Sequence, residues 1–379
     1  MKRIEDQADH AALVKGAHDD RAAQDFAFTL RNYVTSELMP SNRVVYDRRA
    51  APAFERRQGR APESPADIRA AMDADSYYRF YLSARRTSQE LIWGSVIPAV
   101  DQSGDPPTPT PAGGTLALDR STLPPRYAQA IDIHCMPGGY GHDMSAIGAV
   151  YDRGVYLYMS GLMGPLNDAV GQLAAAYLQR THPTFEPARI LDLGCGVGHA
   201  TLPYVDRFAT AEVHGLDAGA GLLRYAHSRA ESLGKPVHFR QGNAERTSYA
   251  DASFDLVASH IFLHETSTRA LPAVLHECWR LLRPGGIMLH VDQPRFDDAD
   301  PYATFLQENE TFYNNEPFWR KYRRIDLGVV AEAAGFAAVD ITLDVLTAAV
   351  VQQSQNNERV VAAAAARKRG FSVLLAVKR

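Results

Sequence analysis

The sequence is poor in cysteine and has no long apolar run. Its three cysteines, Cys135, Cys195 and Cys278, lie far apart and form no C-x-x-C pair, which argues against a disulfide framework and a cysteine-based zinc site. No stretch of about 18 apolar residues occurs, and the charged opening MKRIEDQADH is followed by no apolar core. Neither a membrane span nor a secretory signal is therefore predicted, and the expected location is the cytoplasm.

An excess of positive charge is also missing. The chain has 40 Lys and Arg against 44 Asp and Glu, which gives a formal net charge of −4. A broad basic footprint is absent, so neither nucleic acid nor an anionic membrane is an expected partner. With 379 residues, 46% of them apolar, the chain is long enough for two domains or for one large domain with additions.

Composition predicts a helical N-terminal domain over residues 1–100. Within it, Ser64 and Asp67 have the spacing of a capping box, with Pro65 at the first helical position. These residues indicate the start of a helix at position 65.

Residues 101–165 are expected to form a linker and a small β-containing connector. Proline and glycine dominate 101–126, where 115–119 is the one candidate strand. β-Favouring residues flank Pro-Gly-Gly and Asp-Arg-Gly turns in 128–143 and 149–161. We therefore expect strands in both of these segments.

The third part, residues 166–379, opens with an expected helix over 166–180 and then alternates strand and helix patterns. Such alternation predicts parallel strands joined by crossover helices. The expected strands are 190–193, 212–217, 237–242, 254–259, 287–292, 338–346 and 371–378.

The stretch ARILDLGCGVGHA, residues 188–200, joins the first of these strands to Gly194, Gly196 and Gly198. Glycine tolerates positive φ and lets the backbone approach a ligand closely. A dinucleotide fingerprint needs its third glycine three residues after the second, but His199 stands there. The spacing disfavours a dinucleotide-dependent dehydrogenase and favours the D-x-G-x-G-x-G variant.

Together with Asp217, QGNAE, FDLVAS and LLRPGG, this glycine turn resembles the class I S-adenosylmethionine-dependent methyltransferases. The resemblance covers residues 189–379, about half of the chain, and does not extend to the N-terminal part. It implies an α/β, Rossmann-like domain with a mostly parallel seven-stranded sheet whose last strand is antiparallel. It also implies S-adenosyl-L-methionine as cofactor and S-adenosyl-L-homocysteine as product.

The resemblance assigns the cofactor to residues at the ends of successive strands. Asp192 would lie near the methionine ammonium, since a carboxylate suits a cation. Asp217 would accept hydrogen bonds from the ribose hydroxyls, and Asn243 with Ala244 would bind the adenine amino edge. The expected cofactor-binding residues are Asp192, Gly194, Gly196, Gly198, Asp217, Asn243, Ala244 and Ser259.

The motif SHIFLHET, residues 259–266, follows the fourth expected strand, close to the transferred methyl group in this family. Its LHE is similar to the His-Asp pair that includes the general base in plant-type small-molecule O-methyltransferases. An imidazole with an ordinary pKa near 6.5 suits that task, so His264 and Glu265 are the expected catalytic residues. A capping role at the next helix remains the alternative.

An unusually long insertion, residues 293–324, mixes acids, amides and aromatics. Such a loop is typical of a lid over a polar small-molecule pocket; an exposed helix pair is the alternative. The expected substrate-binding residues are His260, Tyr313, Asn315, Glu316 and Trp319. Glu265 and Glu316 would also suit a cationic amino or guanidino acceptor, in which case the methyl group goes to nitrogen.

Metal-binding residue types occur in IHCMPGGYGHD, namely His134, Cys135, His142 and Asp143. Their spacing matches no zinc pattern, and a Pro-Gly-Gly turn explains the segment more simply. No metal is therefore expected.

The sequence thus predicts a cytoplasmic enzyme that methylates an oxygen or nitrogen of a small polar metabolite, in natural-product biosynthesis. Its N-terminal helices are expected to close the pocket or to form a homodimer. Two alternatives remain open. One is an N-methyltransferase of a cationic amino or guanidino compound; the other is a non-catalytic S-adenosylmethionine-binding regulatory subunit, against which Asp192, Asp217 and the His264–Glu265 pair argue.

Overall fold

The computed structural model describes residues 3–103, 110–119, 121–129, 131–140, 146–294, 300–346 and 370–379. The N-terminal part is helical, as predicted. One continuous helical run contains α1 (His18–Tyr33), a π-helical turn (Val34–Leu38), α2 (Met39–Val45), a second π-helical turn (Tyr46–Ala50) and α3 (Ala51–Gln58). It is followed by α4 (Pro65–Met72) and α5 (Ser76–Ser103).

The predicted capping box at the start of α4 is confirmed. The Asp67 N–H donates to the Ser64 hydroxyl at 3.1 Å, and the Ser64 N–H donates to the Asp67 carboxylate at 3.3 Å. Both unpaired donors of the first turn are thereby satisfied.

A single mixed sheet forms the centre of the molecule. Its strands are β1 (Thr115–Ala117), β2 (Arg189–Leu193), β3 (Glu212–Asp217), β4 (Val237–Gln241), β5 (Phe254–His260), β6 (Leu282–Asp292), β7 (Ile341–Leu346) and β8 (Phe371–Val377). The order across the sheet is β1-β4-β3-β2-β5-β6-β8-β7. Only β8 runs against its neighbours, β6 and β7, so the Rossmann-like fold and the antiparallel last strand are confirmed.

The seven strands expected in residues 166–379 are β2 to β8, and the connector adds an eighth to the sheet. The short strand β1, which belongs to the connector, pairs in parallel with β4 at the sheet edge. Its chain is held there because the N–H groups of Ala112 and Gly114 donate to the Glu231 carboxylate.

Helices cover both faces of this sheet. Helices α8, α9 and α10 pack on one face, and α11 and α14 pack on the other. The described helices after β1 are α6 (Arg126–Gln129), α7 (Ile147–Tyr158), α8 (Ala169–Thr181), α9 (Leu202–Arg207), α10 (Ala220–Ser232), α11 (Ala270–Leu281), α12 (Pro301–Tyr313), α13 (Trp319–Tyr322) and α14 (Leu327–Ala334). Successive strand side chains point to opposite faces. Ile190 therefore packs with Leu173 of α8, whereas Leu191 packs with Leu275 of α11.

The expectation of strands in 149–161 was wrong, because α7 (Ile147–Tyr158) occupies most of that segment. Two glycines let other helices approach it closely. A Cβ at Gly148 would lie 2.2 Å from the Cβ of Tyr225 in α10, and one at Gly154 would lie 2.1 Å from Cζ3 of Trp93 in α5. The helical conformation of this segment is decided by its packing against other helices, which the local sequence pattern does not show.

The 293–324 insertion contains α12 and α13, and α12 packs against α4 of the N-terminal part. Phe305 lies in one apolar cluster with Tyr78, whose hydroxyl donates to Asn309 at 2.9 Å. The insertion and the N-terminal helices therefore pack together around one apolar cluster.

No helix in the described ranges has the length and apolar character needed to cross a membrane.

Candidate active site

A cavity of about 860 Å³ lies at the carboxyl ends of the parallel strands. Asp192, Asp217, Gly242, His260 and Gln293, from the ends of five strands, contribute to its wall. The N-terminal helices, the connector and the insertion close the other side, through Trp93, His134, Tyr151, Glu316 and Trp319 among others. Parallel sheets of this kind bind their ligands at this edge.

The glycine turn after β2 forms one wall of the cavity. Gly194, Gly196 and Gly198 all have positive φ, at 68°, 54° and 78°. Gly194 and Gly196 line the cavity. A Cβ at Gly194 would lie 2.3 Å from the Phe262 ring, whereas one at Gly196 would meet only Tyr151, at 3.9 Å. The backbone at Gly196 thus faces open space that a ligand can fill.

Gly198 differs from our expectation, because it is not part of the cavity wall. Its N–H donates to the Cys195 carbonyl at 2.8 Å, and it packs beside Phe239. It closes the turn instead of facing a ligand.

Asp217 ends β3 and lines the cavity. Its two carboxylate oxygens accept the N–H groups of Gly196 at 2.9 Å and Gly219 at 2.8 Å. Burial raises the pKa of Asp217, those two N–H groups oppose the rise, and the Glu265 charge adds to it. The carboxylate keeps further lone pairs for hydroxyl donors.

Asp192 is a buried residue of the cavity wall, and its carboxylate contacts two side chains. Thr201 donates to one oxygen at 2.6 Å, and the other lies 3.0 Å from Nδ1 of His260. Nε2 of His260 is 3.0 Å from the Tyr204 hydroxyl. Both ring nitrogens of His260 are thus engaged by the protein, so substrate can contact only its carbon edge.

Asn243 and Ala244, after β4, line the cavity, whereas Ser259 does not. The Asn243 side-chain oxygen accepts the Glu245 N–H at 2.9 Å. Ser259 lies on the α11 face of β5, and its hydroxyl is 2.7 Å from Nδ1 of His290. Strand alternation turns this side chain away from the cavity, so the expected cofactor contact of Ser259 is corrected.

His264 lies one layer behind the cavity wall and is 1% exposed. Asp292 at the end of β6 accepts from its Nδ1 at 2.5 Å. The other nitrogen, Nε2, is 3.5 Å from Glu316 and 3.9 Å from Glu265. Within the described part of the chain, neither His264 Nε2 nor Glu316 Oε2 has a hydrogen-bond partner.

These contacts decide the charge of His264. Burial disfavours the charged ring, but Asp292, Glu316 and Glu265 outweigh burial and raise the pKa of His264 above its ordinary value. His264 is also not part of the cavity wall. The expected role of His264 as direct base is therefore corrected, because Glu265 and Glu316 stand between it and the cavity.

Sequence reasoning missed His134 as a partner of this cluster and considered it only as a metal ligand. Its Nε2 is 3.3 Å from Glu265, and its Nδ1 is 3.3 Å from Glu316. Tyr140, a second missed residue, donates its hydroxyl to Glu265 at 3.2 Å. The only sequence signal was the density of aromatic and histidine residues in the connector.

The expected substrate residues of the insertion separate into two pairs. Glu316 and Trp319 line the cavity, whereas Tyr313 and Asn315 do not. Tyr313 packs with the cluster that joins α12 to the N-terminal helices. Asn315 donates to the Asp132 carbonyl at 3.0 Å. The turn after α12 directs only Glu316 and Trp319 toward the cavity. The expected substrate contacts of Tyr313 and Asn315 are therefore corrected.

Of the metal-type residues in the connector, His142 and Asp143 lie outside the described residues. Within the described ranges, no group of three or more His, Cys, Asp or Glu side chains has a metal-binding arrangement.

Known proteins match the sheet-bearing part of the chain. A family model described as a methyltransferase domain matches residues 190–286. An uncharacterized methyltransferase of Synechocystis sp. is 34% identical over 154 residues, which are 40% of this chain and 68% of that protein. The malonyl-[acyl-carrier protein] O-methyltransferase of Methylococcus capsulatus is 38% identical over 124 residues, 32% of this chain and 42% of the relative.

Among solved structures, the chain is similar to phosphoethanolamine N-methyltransferase 2 of Haemonchus contortus, in complex with phosphomonomethylethanolamine and S-adenosylhomocysteine. The TM-score is 0.44 at 19% identity, over 60% of this chain and 58% of the other. This chain aligns with 42% of the length of the Methylococcus relative and with 68% of the length of the Synechocystis relative.

Proposed function

This chain belongs to the S-adenosylmethionine-dependent methyltransferases, and from that premise we propose that it methylates an oxygen or nitrogen of a small polar metabolite. The observation that carries the proposal is a shared cavity. The glycine turn with Asp217 and the carboxylates of Glu265 and Glu316 line the same space of about 860 Å³. A volume of this size suits a cofactor together with a small acceptor.

The residues present fit S-adenosylmethionine. The open backbone at Gly196 leaves room for it. Asp217 keeps acceptor capacity for the ribose hydroxyls, and Asn243 and Ala244 line the wall that we assign to the adenine. Asp192 and Asp217 also supply negative charge, which suits a cationic cofactor.

When bound, the cofactor supplies a sulfonium methyl group to an acceptor aligned with it. An O–H or N–H acceptor gives up one proton on methylation, and we assign its uptake to Glu265, whose carboxylate faces the cavity. Tyr140 and His134 hold this carboxylate through the contacts described above. His264, fixed by Asp292, supports the carboxylates from behind.

A cationic acceptor has less support than a neutral or acidic one. Glu316, which we expected to bind the cation, already lies within 3.5 Å of two histidine rings. Burial alone would raise the pKa of Glu316, but His134 and His264 outweigh it and lower the pKa. The negative charge of Glu316 is therefore already matched within the protein.

The first test is calorimetric titration with S-adenosylhomocysteine, using Asp217→Ala and the exposed control Asp47→Ala. We expect micromolar binding by the wild type and Asp47→Ala. Asp217→Ala should weaken it by about tenfold or more, because hydrogen bonds to a charged group are lost. Binding of NAD in place of S-adenosylhomocysteine would overturn the proposal.

Turnover is tested with tritiated S-adenosylmethionine and a deproteinised metabolite extract. A labelled product whose methyl group is on oxygen or nitrogen supports the proposal. Binding without any labelled product would favour the non-catalytic regulatory subunit.

A further inference from the structure

We propose that His134 is an active-site positioning residue, supplied by the connector and held by the N-terminal helices, that orients Glu265 and Glu316 toward the acceptor. This inference rests on the proposed function and extends it to a part of the chain outside the methyltransferase family match. The N-terminal helices thereby become part of the active site instead of an appendage.

The backbone at His134 is the first observation. Its φ is 54°, and that of Cys135 is 57°, in the left-handed region that non-glycine residues seldom adopt. Such backbone conformations persist only where surrounding contacts stabilise them, and they cluster at functional sites. Two side chains of α5 stabilise the backbone at His134, because Gln89 and Trp93 donate to its carbonyl at 2.6 and 2.9 Å.

The ring of His134 is the second observation. It stands between two carboxylates from distant parts of the sequence, 3.3 Å from Glu265 and 3.3 Å from Glu316. Asn314 contacts its Nδ1 at 2.9 Å and donates to Glu316 at 2.6 Å. Tyr140 and Tyr158 pack around the ring, with centroids 6.4 and 5.7 Å away.

The charge of this cluster supports the same role. Burial opposes a charge on His134, but Glu316 and Glu265 outweigh it and hold the pKa of His134 well above its ordinary value. A protonated ring matches part of the negative charge of the two carboxylates, each of which lies 3.3 Å from one of its nitrogens. Without the ring, the two carboxylates would repel each other at the cavity wall.

The cluster of His134, Glu265 and Glu316 lies next to the glycine turn, so its charge can be measured through the binding of cofactor analogues. Glu265 is close enough to Asp217 to raise its pKa, so the cluster acts on the cofactor end of the cavity. Sinefungin carries a protonated amine where S-adenosylmethionine carries its sulfonium methyl, whereas S-adenosylhomocysteine is neutral there. The ratio of the two dissociation constants therefore reports the charge of the cluster.

The test is calorimetric titration of both compounds into the full chain, as wild type, His134→Asn and the exposed control His276→Gln. Asparagine removes the ring yet tolerates positive φ. We expect the preference for sinefungin over S-adenosylhomocysteine to rise about tenfold in His134→Asn, because one positive charge is lost. S-adenosylhomocysteine affinity should stay within about twofold, and His276→Gln should match the wild type.

Gln89→Met provides a second variant if His134→Asn does not fold. It removes one donor to the His134 carbonyl while keeping side-chain volume, so the preference should shift in the same direction by a smaller factor. An unchanged preference in a folded His134→Asn, or a loss of S-adenosylhomocysteine binding without a change in preference, would overturn the proposal. If the wild type binds neither compound, the proposed function itself fails.

Discussion

Two buried clusters in this chain join histidines to carboxylates, and they differ in what surrounds the carboxylate. In the first, Asp152 of α7 is 1% exposed. Its oxygens receive contacts from Gln7 at 3.4 Å, His10 at 3.1 Å, Asn167 at 3.1 Å, His199 at 2.8 Å and Tyr225 at 2.8 Å. Arg229 adds an ion pair at 3.4 Å.

In the second cluster, carboxylates outnumber the groups that neutralise them. Glu265, Glu316 and Asp292 share the rings of His134 and His264. Glu265 and Glu316 also face the cavity. One oxygen of Glu316 has no hydrogen-bond donor in the described part of the chain.

The difference separates a cluster that is closed by its own donors from one that reaches the cavity. Both oxygens of Asp152 are hydrogen-bonded within the protein, and these bonds join the N-terminal segment to α7 and α10. Asp152 therefore has no capacity left for a ligand. The second cluster instead brings the Glu265 carboxylate to the cavity wall, where a ligand can reach it. Its one unpaired oxygen, on Glu316, is buried beside His264. Histidine and carboxylate content alone does not distinguish the two.

The largest effect is expected from Asp152→Ala. Removing this carboxylate leaves Arg229 and two histidines without their buried partner, which should lower the free energy of unfolding by about 3–5 kcal/mol. Urea unfolding measures the change, with Asp47→Ala as the exposed control. A loss below about 1 kcal/mol would remove the distinction between the clusters.

Glu265→Gln should separate activity from stability in the second cluster. The amide keeps the shape of the side chain but accepts no proton, so methyl transfer in the tritium assay should fall by about 100-fold or more. The free energy of unfolding should change by less than about 1 kcal/mol, because hydrogen-bonding capacity is retained. Equal rates for variant and wild type would show that Glu265 takes no proton.

Another buried histidine, His290, sharpens the comparison because its nearest polar contacts are neutral. Nδ1 lies 2.7 Å from the Ser259 hydroxyl, and Nε2 lies 3.8 Å from the Cys278 sulfur. Burial lowers the pKa of His290 to about 3. The pKa of His290 is thus shifted in the opposite direction from those of His134 and His264, which lie beside carboxylates.

This lowered pKa gives a pH dependence of stability with a definite sign. The unfolded chain protonates this residue near pH 6.5, before the folded chain does, so the free energy of unfolding falls as pH decreases from about 6.5 toward 3. Between about pH 6.5 and 5 the contribution is about 2 kcal/mol. The cost of His290→Gln in urea unfolding should therefore shrink by that amount at the lower pH, and a constant cost would contradict it.

Much of the sheet and of the cofactor end could be predicted from sequence. The apolar runs of the sequence predicted strands β2 and β3. Gly194, Gly196 and Asp217, predicted from the glycine spacing, line the same cavity. Ser259 could not be assigned in this way, because a shift of one residue along a strand changes the face to which the side chain points.

The acceptor end could not be predicted to the same degree. His134 and Glu316 are 182 positions apart, and nothing in either local segment indicates that they meet. The helix α7 was missed because its β-favouring residues are buried against α5 and α10. The expected homodimer through the N-terminal helices stays a prediction.

The sequence by itself determined the methyltransferase fold and the glycine turn at the cavity, because these depend on apolar runs, backbone turns and strand ends that follow one another in order. Only the tertiary structure decided which carboxylates face the cavity, which histidines they share and that His264 lies behind the wall. Those properties depend on distances between side chains from separate elements, and packing of helices on the sheet fixes such distances.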